Sequence, residues 1–532
     1  MSGRELPDAP RRFPPDLAVR AAPAPADRAG ARRARGEGLP AQAHARGGEH
    51  AGHEAEQAPD PRRLPRLLVV EGREDLRAHL ARLGPMDGAR GGAHHGSGRP
   101  GAPDLVATVE DSGLVGRGGA GFVTGRKLRA VSDAAARIGR PPIVVVNAME
   151  GEPASAKDRV LLLRAPHLVL DGAIAAAQAL GALEVVVCVP RTDHTLPWAR
   201  RVPPEHGAPL DADSGEGPGG PGDHDRSVAT ELAAHSLQRA LDERRRAGSD
   251  RIPVTVARPP ESYVSGEASA LVRWLGGGPA LPAFSVVRTA ESGVSGAPTL
   301  LDNAETFAHL ALVARFGAAW FRALGTDGDP GSALVTISGA VGRPGVAEIP
   351  LGSTVGDLLH VAGGPTERLQ AVLLGGYGGS WVPVERALAV PLGHGPGSLP
   401  LGPGIVVALP GRACGLAETA RLARFMANEG AGQCGPCAYG LPALASALEE
   451  LAWPSAASSA SAACASVARW TGQIAGRGAC GHPDGAVRMV RSAITTFGKD
   501  LDLHAAGHGC EHNGRSPLLP VPPRRRAGDA RP

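Results

Sequence analysis

A glycine-rich segment constrains this chain more than any other stretch: residues 113–127 read Gly-Leu-Val-Gly-Arg-Gly-Gly-Ala-Gly-Phe-Val-Thr-Gly-Arg-Lys. Six glycines in fifteen residues leave few Cβ atoms, so the backbone can take positive φ and close its N–H groups on an anion or a flat ring. Arg117, Arg126 and Lys127 add positive charge at its edges, as a phosphate requires. The segment therefore predicts a cradle for a nucleotide or a flavin.

Lysine is rare in this chain, which makes the lysine of the segment informative. Only Lys127, Lys157 and Lys499 occur among 56 lysine and arginine residues. Where arginine is the default cation, a lysine in a glycine loop indicates a task for a compact ammonium. Chance retention is the alternative.

Length, charge and cysteine usage bound the class of protein. A chain of 532 residues predicts three or four folded units. The net charge of +3 gives no indication of nucleic-acid or membrane-surface binding, and no apolar run is long enough for a transmembrane helix or an export signal. The seven cysteines lie mostly toward the C-terminus, which favours a metal site in a reducing, cytoplasmic compartment over a disulfide framework.

The pattern along the chain divides it into ordered and disordered parts. We expect disorder at 1–65 and 509–532, and an inserted loop at about 191–225, because these stretches lack an apolar period. Buried β-branched strands alternate with helices over 66–328, which predicts a parallel α/β sheet. A small β-rich module is expected at 329–408, and a helical unit at 409–508.

Polar clusters follow the predicted strands. Asn147, Glu150 and Glu152 come directly after the first buried strand, and ligands of open α/β sheets bind at the carboxyl ends of strands. Two further clusters are 263–267, with Tyr263, and 298–306. The competing interpretation for each cluster is a polar loop that caps a helix.

Cys434 and Cys437 form a Cys-Gly-Pro-Cys string, and Cys480 follows forty-three residues later. A thioredoxin site is disfavoured because a helix precedes the string and Gln433 takes the position of the usual Trp. Inert thiols, a zinc site completed by His482, and an iron–sulfur cluster remain open from the spacing.

Taken together, these motifs resemble the flavin-bearing, NADH-oxidising subunit of respiratory complex I, the 51-kDa type. The same family includes flavoprotein subunits of NAD-linked hydrogenases and formate dehydrogenases. The resemblance covers about 67–508 and is most specific at 116–127. It implies a Rossmann-like parallel-sheet flavin domain, a ubiquitin-like β-grasp module of the SLBB type, and a C-terminal helical bundle that holds a [4Fe–4S] cluster.

The resemblance also implies site residues. NADH would stack on the flavin near Phe122, with help from Glu152 and Tyr263. Iron would be held by Cys434, Cys437 and Cys480. FMN would be held by Gly116, Arg117, Gly118, Gly119, Lys127, Asn147, Glu150, Gly266, Glu267 and Asn303.

The chain departs from the family pattern at several positions. The first cysteine of the family motif is Ala431 here, so the fourth iron ligand would be Cys414, with Cys464, water or His482 as further choices. Other departures, which bear on nicotinamide preference, are Leu128, Met149, Ala268 and Asp302.

The expected activity is hydride transfer from NADH to FMN, followed by single-electron transfer to the cluster and to a partner protein. That partner would be ferredoxin-like or another redox subunit, with a membrane reductase as a further possibility and no nucleic acid. One alternative is a ferredoxin-linked flavin relay with little NADH activity. Another is a cluster-less, non-redox binding or assembly protein, which Ala431 motivates.

Overall fold

The computed structural model describes residues 20–21, 59–69, 72–86, 104–192, 221–284, 287–512 and 517–522. Most of the predicted N-terminal tail and inserted loop lies outside these residues. Residues 59–65, however, pack against the fold, since the indole Nε1 of Trp320 donates to the carbonyl of Pro59 at 2.8 Å. The helix after the insertion begins at Pro221, inside the stretch predicted as loop.

The N-terminal unit is built on a four-stranded, fully parallel sheet with strand order β4-β3-β2-β5. The central strand β2 consists mainly of β-branched residues and is buried on both faces, because helices cover both sides of the sheet. The strands are β2 (Ile143–Asn147), β3 (Val185–Cys188), β4 (Val254–Ala257) and β5 (Thr299–Asn303). The helices are α1 (Leu76–Leu83), α2 (Leu105–Ser112), α3 (Thr124–Ile138), α4 (Lys157–Arg164), α5 (Pro166–Leu180), α6 (Pro221–Ala247), α7 (Ala268–Leu275) and α8 (Ala304–Arg322).

Helices α5 and α8 pack closely beneath this sheet. Gly172 makes the approach possible, because a Cβ there would lie 1.8 Å from the carbonyl oxygen of Phe307. The contact holds α8 in place, and α8 begins where β5 ends. The first turn of α8 is thereby fixed at the carboxyl edge of the sheet.

The second unit is a mixed six-stranded sheet with strand order β1-β7-β6-β12-β8-β9. Its two central strands, β6 and β12, run parallel to each other. The pairs β6–β7, β12–β8 and β8–β9 are antiparallel. The strands are β1 (Arg20–Ala21), β6 (Ser332–Gly339), β7 (Gly345–Pro350), β8 (Leu369–Leu374), β9 (Ser380–Pro383) and β12 (Ile405–Pro410), with a small pair of β10 (Leu392–Gly393) and β11 (Leu399–Pro400). Helices α9 (Val355–Val361) and α10 (Val384–Ala389) accompany it, so the predicted β-grasp module is confirmed.

The C-terminal unit is a helical bundle, as predicted, and its apolar core is continuous with side chains of β8, β9 and β12. Its helices are α11 (Gly415–Glu429), α12 (Leu441–Ala452), α13 (Ala457–Ile474), α14 (His482–Thr496) and α15 (Gly498–Ala505), with a π-helical turn at Pro436–Gly440. The expected disorder from 509 onward does not extend to 509–512 or 517–522. Leu519 is buried, and the N–H groups of Leu518 and Leu519 donate to the Glu418 carboxylate at 2.8 and 3.3 Å.

Within the described residues, no single helix has the length and apolar character to cross a membrane. Helices α4 and α5 reach that length only as a pair, and they are bent by 95° at their junction.

Candidate cofactor-binding site

The glycine segment forms a closed loop that follows a helix rather than a strand. Helix α2 ends at Ser112, and Gly113 takes a left-handed φ of 69° at its C-cap. The base of the loop is tied by two backbone hydrogen bonds, from Gly116 N–H to the Phe122 carbonyl at 2.8 Å and from Thr124 N–H to the Leu114 carbonyl at 2.9 Å. The tip at 117–121 is thereby presented as a compact turn.

Several glycines of this loop are required by the space around them. Gly119 and Gly121 have φ of 103° and 60°, which L side chains rarely adopt. A Cβ on Gly121 would also lie 2.7 Å from Cδ2 of His394. Cβ atoms on Gly116 and Gly118 would lie 3.2 Å from Asp302 and 3.4 Å from Asn303. The loop therefore rests directly on the carboxyl end of β5.

Lys127 lies at the same edge of the sheet. Its Nζ donates to the Leu301 carbonyl and to the Asp302 carboxylate, both at 3.0 Å. The side chain retains 24% exposure, and its ammonium lies 5.9 Å from the centre of the Phe122 ring. Phe122 is half exposed. A partly exposed cation beside a partly exposed ring suits a ligand that combines a phosphate with a flat ring.

Arg117 points its guanidinium into the protein beneath the loop. Its backbone N–H donates to Oγ1 of Thr306 at 2.9 Å, and its Nε lies 4.0 Å from the Glu305 carboxylate. The guanidinium is buried, and its three nitrogens have no hydrogen-bond partner among the described residues. Burial lowers the pKa of Arg117, although Glu305 and Asp329 oppose the shift. A buried cation with unmet donors is a place where an anion is stabilised.

Asn147 and Asn303 end neighbouring strands and are register partners. The Asn147 Nδ2 donates to the Gly266 carbonyl at 2.8 Å, which joins β2 to the segment before α7. The Asn303 Nδ2 donates to the Asp158 carboxylate at 2.7 Å and to the Asn147 carbonyl at 3.3 Å. The two amides bring distant predicted site segments together, as the polar-cluster interpretation expects.

A buried network around Lys157 supports these strand ends. The Lys157 Nζ donates to Glu305 at 2.7 Å, to Asn303 at 3.0 Å and to Asp158 at 3.1 Å. The other Glu305 oxygen accepts from the Leu334 N–H at 2.7 Å, which connects the α/β unit to β6. Sequence reasoning assigned no role to Lys157 or Glu305, although the scarcity of lysine was a usable signal.

The ammonium of Lys157 acts differently on its two carboxyl partners. For Glu305, burial alone would raise the pKa, but Lys157 and His309 lower it to about 2. For Asp158, burial raises the pKa to about 6 despite Lys157, because Glu150 and Glu305 also repel its charge. The pKa of Lys157 is itself raised, since its carboxylates outweigh burial. We therefore regard Lys157–Glu305 as the ionised pair of the network.

Glu150 anchors the start of α4. Its carboxylate accepts from the Ser155 hydroxyl at 2.6 Å and from the N–H groups of Asp158 and Arg159 at 2.9 and 3.0 Å. These bonds and the charge of Arg159 lower its pKa although burial opposes them. The residue has a φ of 33°, which is strained for a side chain larger than glycine. Its side chain is thus directed into the protein, and its backbone carbonyl accepts from the Arg226 guanidinium at 2.9 Å.

Glu152 and Tyr263 meet at the junction of the three units. The Tyr263 hydroxyl donates to Oε2 of Glu152 at 3.1 Å, and the backbone N–H of Tyr377 donates to the same oxygen at 3.0 Å. The other oxygen, Oε1, is buried and has no hydrogen-bond partner among the described residues. Burial raises the pKa of Glu152 to about 7. This carboxyl can therefore change its proton content near neutral pH.

The segment 263–267 links the flavin side to the cysteines. The Tyr263 ring contacts the ring of His482 at 5.4 Å between centres, and His482 lies two residues after Cys480. Glu267 caps the N-terminus of α7, accepting from the Ser269 N–H at 3.0 Å. It lies close enough to Cys480 to contribute, after burial, to raising the pKa of that thiol. Gly266 packs tightly, since a Cβ there would lie 3.0 Å from Met149.

Cys434, Cys437 and Cys480 converge at one end of the bundle. Burial raises the pKa of Cys437 to about 12, and the neighbouring Cys434 and Cys480 add to the shift. A Cβ on Gly430 would lie 3.4 Å from the Cys437 sulfur, which places the group at the C-terminal end of α11. The Cys437 thiol thus has the other two cysteines as near neighbours, and a cation bound among them would stabilise its thiolate form.

The structure does not bring Cys414 to these three cysteines. Cys414 is the N-cap of α11, and Cys437 lies at the other end of this 15-residue helix. At about 1.5 Å per residue the helix separates them by about 22 Å, too far to share one cluster. His482 is better placed, because its Nε2 donates to the Met426 carbonyl at 2.8 Å while its buried Nδ1 has no partner among the described residues.

The residues present fit the two cofactors that the fold implies. The glycine loop offers close backbone approach, with Lys127 beside it. Beneath it lies the Arg117 guanidinium, whose nitrogens make no hydrogen bond to the described residues, and such a loop with nearby cations suits a flavin phosphate and ring. Three converging cysteines supply all but one of the thiolates of a four-cysteine iron–sulfur site.

Comparison with known protein families agrees with each unit. Residues 109–197 match the Nuo51 FMN-binding domain, 334–380 match the SLBB domain, and 417–504 match the iron–sulfur binding region of NADH-ubiquinone oxidoreductase-F. The last region contains Cys434, Cys437 and Cys480 but neither Cys414 nor Cys510. The matched regions thus follow the same order as the predicted units.

Individual relatives agree as well. The chain is 33% identical over 290 residues to the alpha subunit of the NAD-reducing hydrogenase HoxS of Cupriavidus necator, covering 54% of this chain and 43% of that subunit. A crystal structure of NAD⁺-reducing [NiFe]-hydrogenase in the H₂-reduced state superposes with a TM-score of 0.63 at 30% identity; the match spans 75% of this chain and 62% of the hydrogenase chain. The F subunit of NADH-quinone oxidoreductase from Mycobacterium tuberculosis is 32% identical over 422 residues, covering 78% of this chain and 88% of that protein. The chain therefore belongs to the family of the NADH-quinone oxidoreductase F subunits, the 51-kDa flavoproteins of respiratory complex I and of related NAD-linked hydrogenases.

Proposed function

We propose that this chain is the NADH-oxidising flavoprotein subunit of a redox assembly. The observation that carries the proposal is the placement of the glycine loop on the strand ends of the parallel sheet, joined through Tyr263 and His482 to three converging cysteines. Bound FMN supplies a two-electron acceptor for hydride and a one-electron donor to iron. The protein positions these groups and excludes water between them.

The residues that would hold FMN fall into two kinds. Backbone groups of the loop, at Gly116 to Gly119, and of Glu150 and Gly266 would line the cofactor. Side chains of Lys127, Asn147, Glu267 and Asn303 border the same edge of the sheet, and Arg117 supplies buried positive charge. In this assignment the glycine loop would bind the phosphate and the ring of FMN, although it follows helix α2 and not a strand as in a Rossmann fold.

The nicotinamide side of the site would be formed by Phe122, Glu152 and Tyr263. Phe122 is half exposed beside the cradle, so the exposed part of its ring would stack on the nicotinamide. Oε1 of Glu152 is a buried polar atom with no hydrogen-bond partner among the described residues. With a pKa of about 7, its carboxyl can accept a hydrogen bond when ionised and donate one when protonated, so it would orient an amide group.

Electrons would leave through iron held by Cys434, Cys437 and Cys480, with Nδ1 of His482 as the candidate for the remaining position. The acceptor would be a ferredoxin-like protein or another redox subunit, and any quinone reaction would belong to a membrane partner. We propose a cytoplasmic location, peripheral to the membrane through partners. The three units would divide near residues 328 and 408.

Anaerobic titration with NADH tests this function. We expect one flavin per chain to bleach, and the reduced protein to show an iron–sulfur signal by EPR. Colourless protein, with neither flavin nor iron after anaerobic purification, would refute the proposal.

A second candidate is a flavin relay fed by a ferredoxin-like donor. Two apolar residues favour it, because they stand where the family carries acidic groups. They are Met149, which is buried against Gly266, and Ala268, the first residue of α7. Flavin that stays oxidised with excess NADH, yet bleaches with reduced ferredoxin, would establish this candidate in place of the first.

A further inference from the structure

A second group of metal-ligating side chains lies in the helical bundle, away from the flavin and cluster site. It consists of Cys414, His504 and Cys510, all buried, whose ligand atoms lie within 4.8 Å of one another. Cys414 caps the start of α11, His504 lies in α15, and Cys510 follows in the C-terminal segment. The group therefore joins the start of α11 to α15 and the segment directly after it, 90 residues further along the chain.

The histidine of this group is oriented as a metal ligand would be. Its Nδ1 lies 3.0 Å from the Leu451 carbonyl, which can only accept, so Nδ1 carries the proton. The lone pair of Nε2 is consequently directed at the two cysteines. A protein-held imidazole that donates its far N–H to a carbonyl is the usual outer support of a metal-bound histidine.

The spacing suits a single tetrahedral ion. Zinc bonds of about 2.3 Å to sulfur and about 2.0 Å to nitrogen in tetrahedral geometry place those two atoms about 3.5 Å apart. The Cys414 sulfur and His504 Nε2 lie 3.6 Å apart. The Ala417 N–H also donates to the Cys414 sulfur at 3.3 Å, an interaction that stabilises a thiolate.

One hydrogen bond competes with metal binding. The backbone N–H of Cys510 donates to Nε2 of His504 at 3.1 Å, so an incoming ion would displace it. Two close, buried thiols and one imidazole lone pair would nevertheless be stabilised by a divalent cation that binds sulfur and nitrogen ligands.

We propose that Cys414, His504 and Cys510 bind one Zn²⁺ ion, which fastens the C-terminal segment to the bundle. The fourth position of the tetrahedron falls to a water molecule. The ion is separate from the iron site, because the whole length of α11 lies between Cys414 and Cys437.

Metal analysis of the intact chain, purified without chelators, tests the proposal. We expect about one zinc per chain in the wild type and a loss of at least tenfold in Cys414→Ser, Cys510→Ser and His504→Gln. The control is Cys464→Ser, a partly buried cysteine in α13, which should keep its zinc. Iron and flavin content should be unchanged in the three ligand variants. Zinc that persists in Cys414→Ser, or iron that falls there as in Cys480→Ala, overturns the proposal.

Alkylation of the wild type makes the test independent of variant folding. Cys414 and Cys510 should be protected while zinc is bound, react after chelation, and regain protection when Zn²⁺ alone is added back. Reactivity that does not depend on the chelator contradicts the site. A disulfide between Cys414 and Cys510, found by mass spectrometry of unreduced protein, also contradicts it.

Discussion

Replacing Lys157 by Met tests whether the buried charge network supports the flavin edge of the sheet. The ammonium has three side-chain partners within 3.1 Å and is almost completely buried. Methionine keeps the length of the side chain but leaves the Glu305 carboxylate buried without its cation. Breaking a buried ion pair from one side costs about 3–5 kcal/mol.

This cost converts to a measurable change in melting temperature. For a unit of this size, about 2–4 °C is lost per kcal/mol, so the melting temperature of the α/β unit should fall by about 6–20 °C. Calorimetry on flavin-free protein isolates the effect from cofactor loss. Lys499→Met is the matched control, since Lys499 is exposed and its removal should change stability by no more than about 0.5 kcal/mol.

The sign of the pH dependence provides a second check. In the wild type the pKa of Glu305 is depressed to about 2, so its contribution to stability is complete above about 4.5 and is lost as the pH falls toward 2. Without Lys157 the carboxyl's pKa rises, and the penalty of Lys157→Met should shrink between pH 7 and pH 5. Lys157→Met with Glu305→Gln should recover part of the loss.

Equal melting of the Lys157→Met and Lys499→Met variants would refute this reasoning. A penalty that is the same at pH 5 and pH 7 would show that the loss comes from packing and not from an unpaired charge.

Three further perturbations address the cradle, the cluster and the nicotinamide side. Gly121→Ala should abolish flavin retention on gel filtration, because the new Cβ meets His394, whereas Gly139→Ala, with a similar φ but nothing within 4 Å, should cost only about 1 kcal/mol and retain flavin. Cys480→Ala should reduce iron to less than half of that in the Cys464→Ala control, as measured by iron and sulfide assays; equal iron in both would remove Cys480 from the ligand set. Glu152 has a pKa raised to about 7, so its protonated form is favoured in the folded protein, and stability should fall as pH rises from 4.5 to 7. Denaturant titrations of Glu152→Gln should lack this decline, and a parallel decline in the variant would exclude Glu152 as its source.

Local sequence determined much of the architecture. The β-branched run of β2 and the alternation of strands with helices predict the parallel sheet, because such strands are stable only when covered on both faces. The glycines at 113–127 predict a close-approach loop, since no other residue accepts the φ of Gly119. The family motifs supplied the cofactors and the order of the three units.

Contacts between distant segments could not be inferred in this way. Lys157 and Glu305 are 148 positions apart, and only the docking of α4 against the start of α8 makes them a pair. Glu150 is a polar residue near a strand end, as predicted, yet its carboxylate accepts hydrogen bonds from N–H groups in the first turn of α4. Spacing along the chain does not show which way a side chain turns.

The cysteines show the same division most clearly. Their types and the Cys-x-x-Cys spacing were enough to predict a metal centre, because thiolate chemistry is a property of the residue. Which cysteines share a centre depended on tertiary structure: a rigid helix carries Cys414 away from Cys437, and the return of the chain at α15 brings it to His504 and Cys510. A helix fixes the distance between its ends, but only the packing of the bundle decides what meets each end.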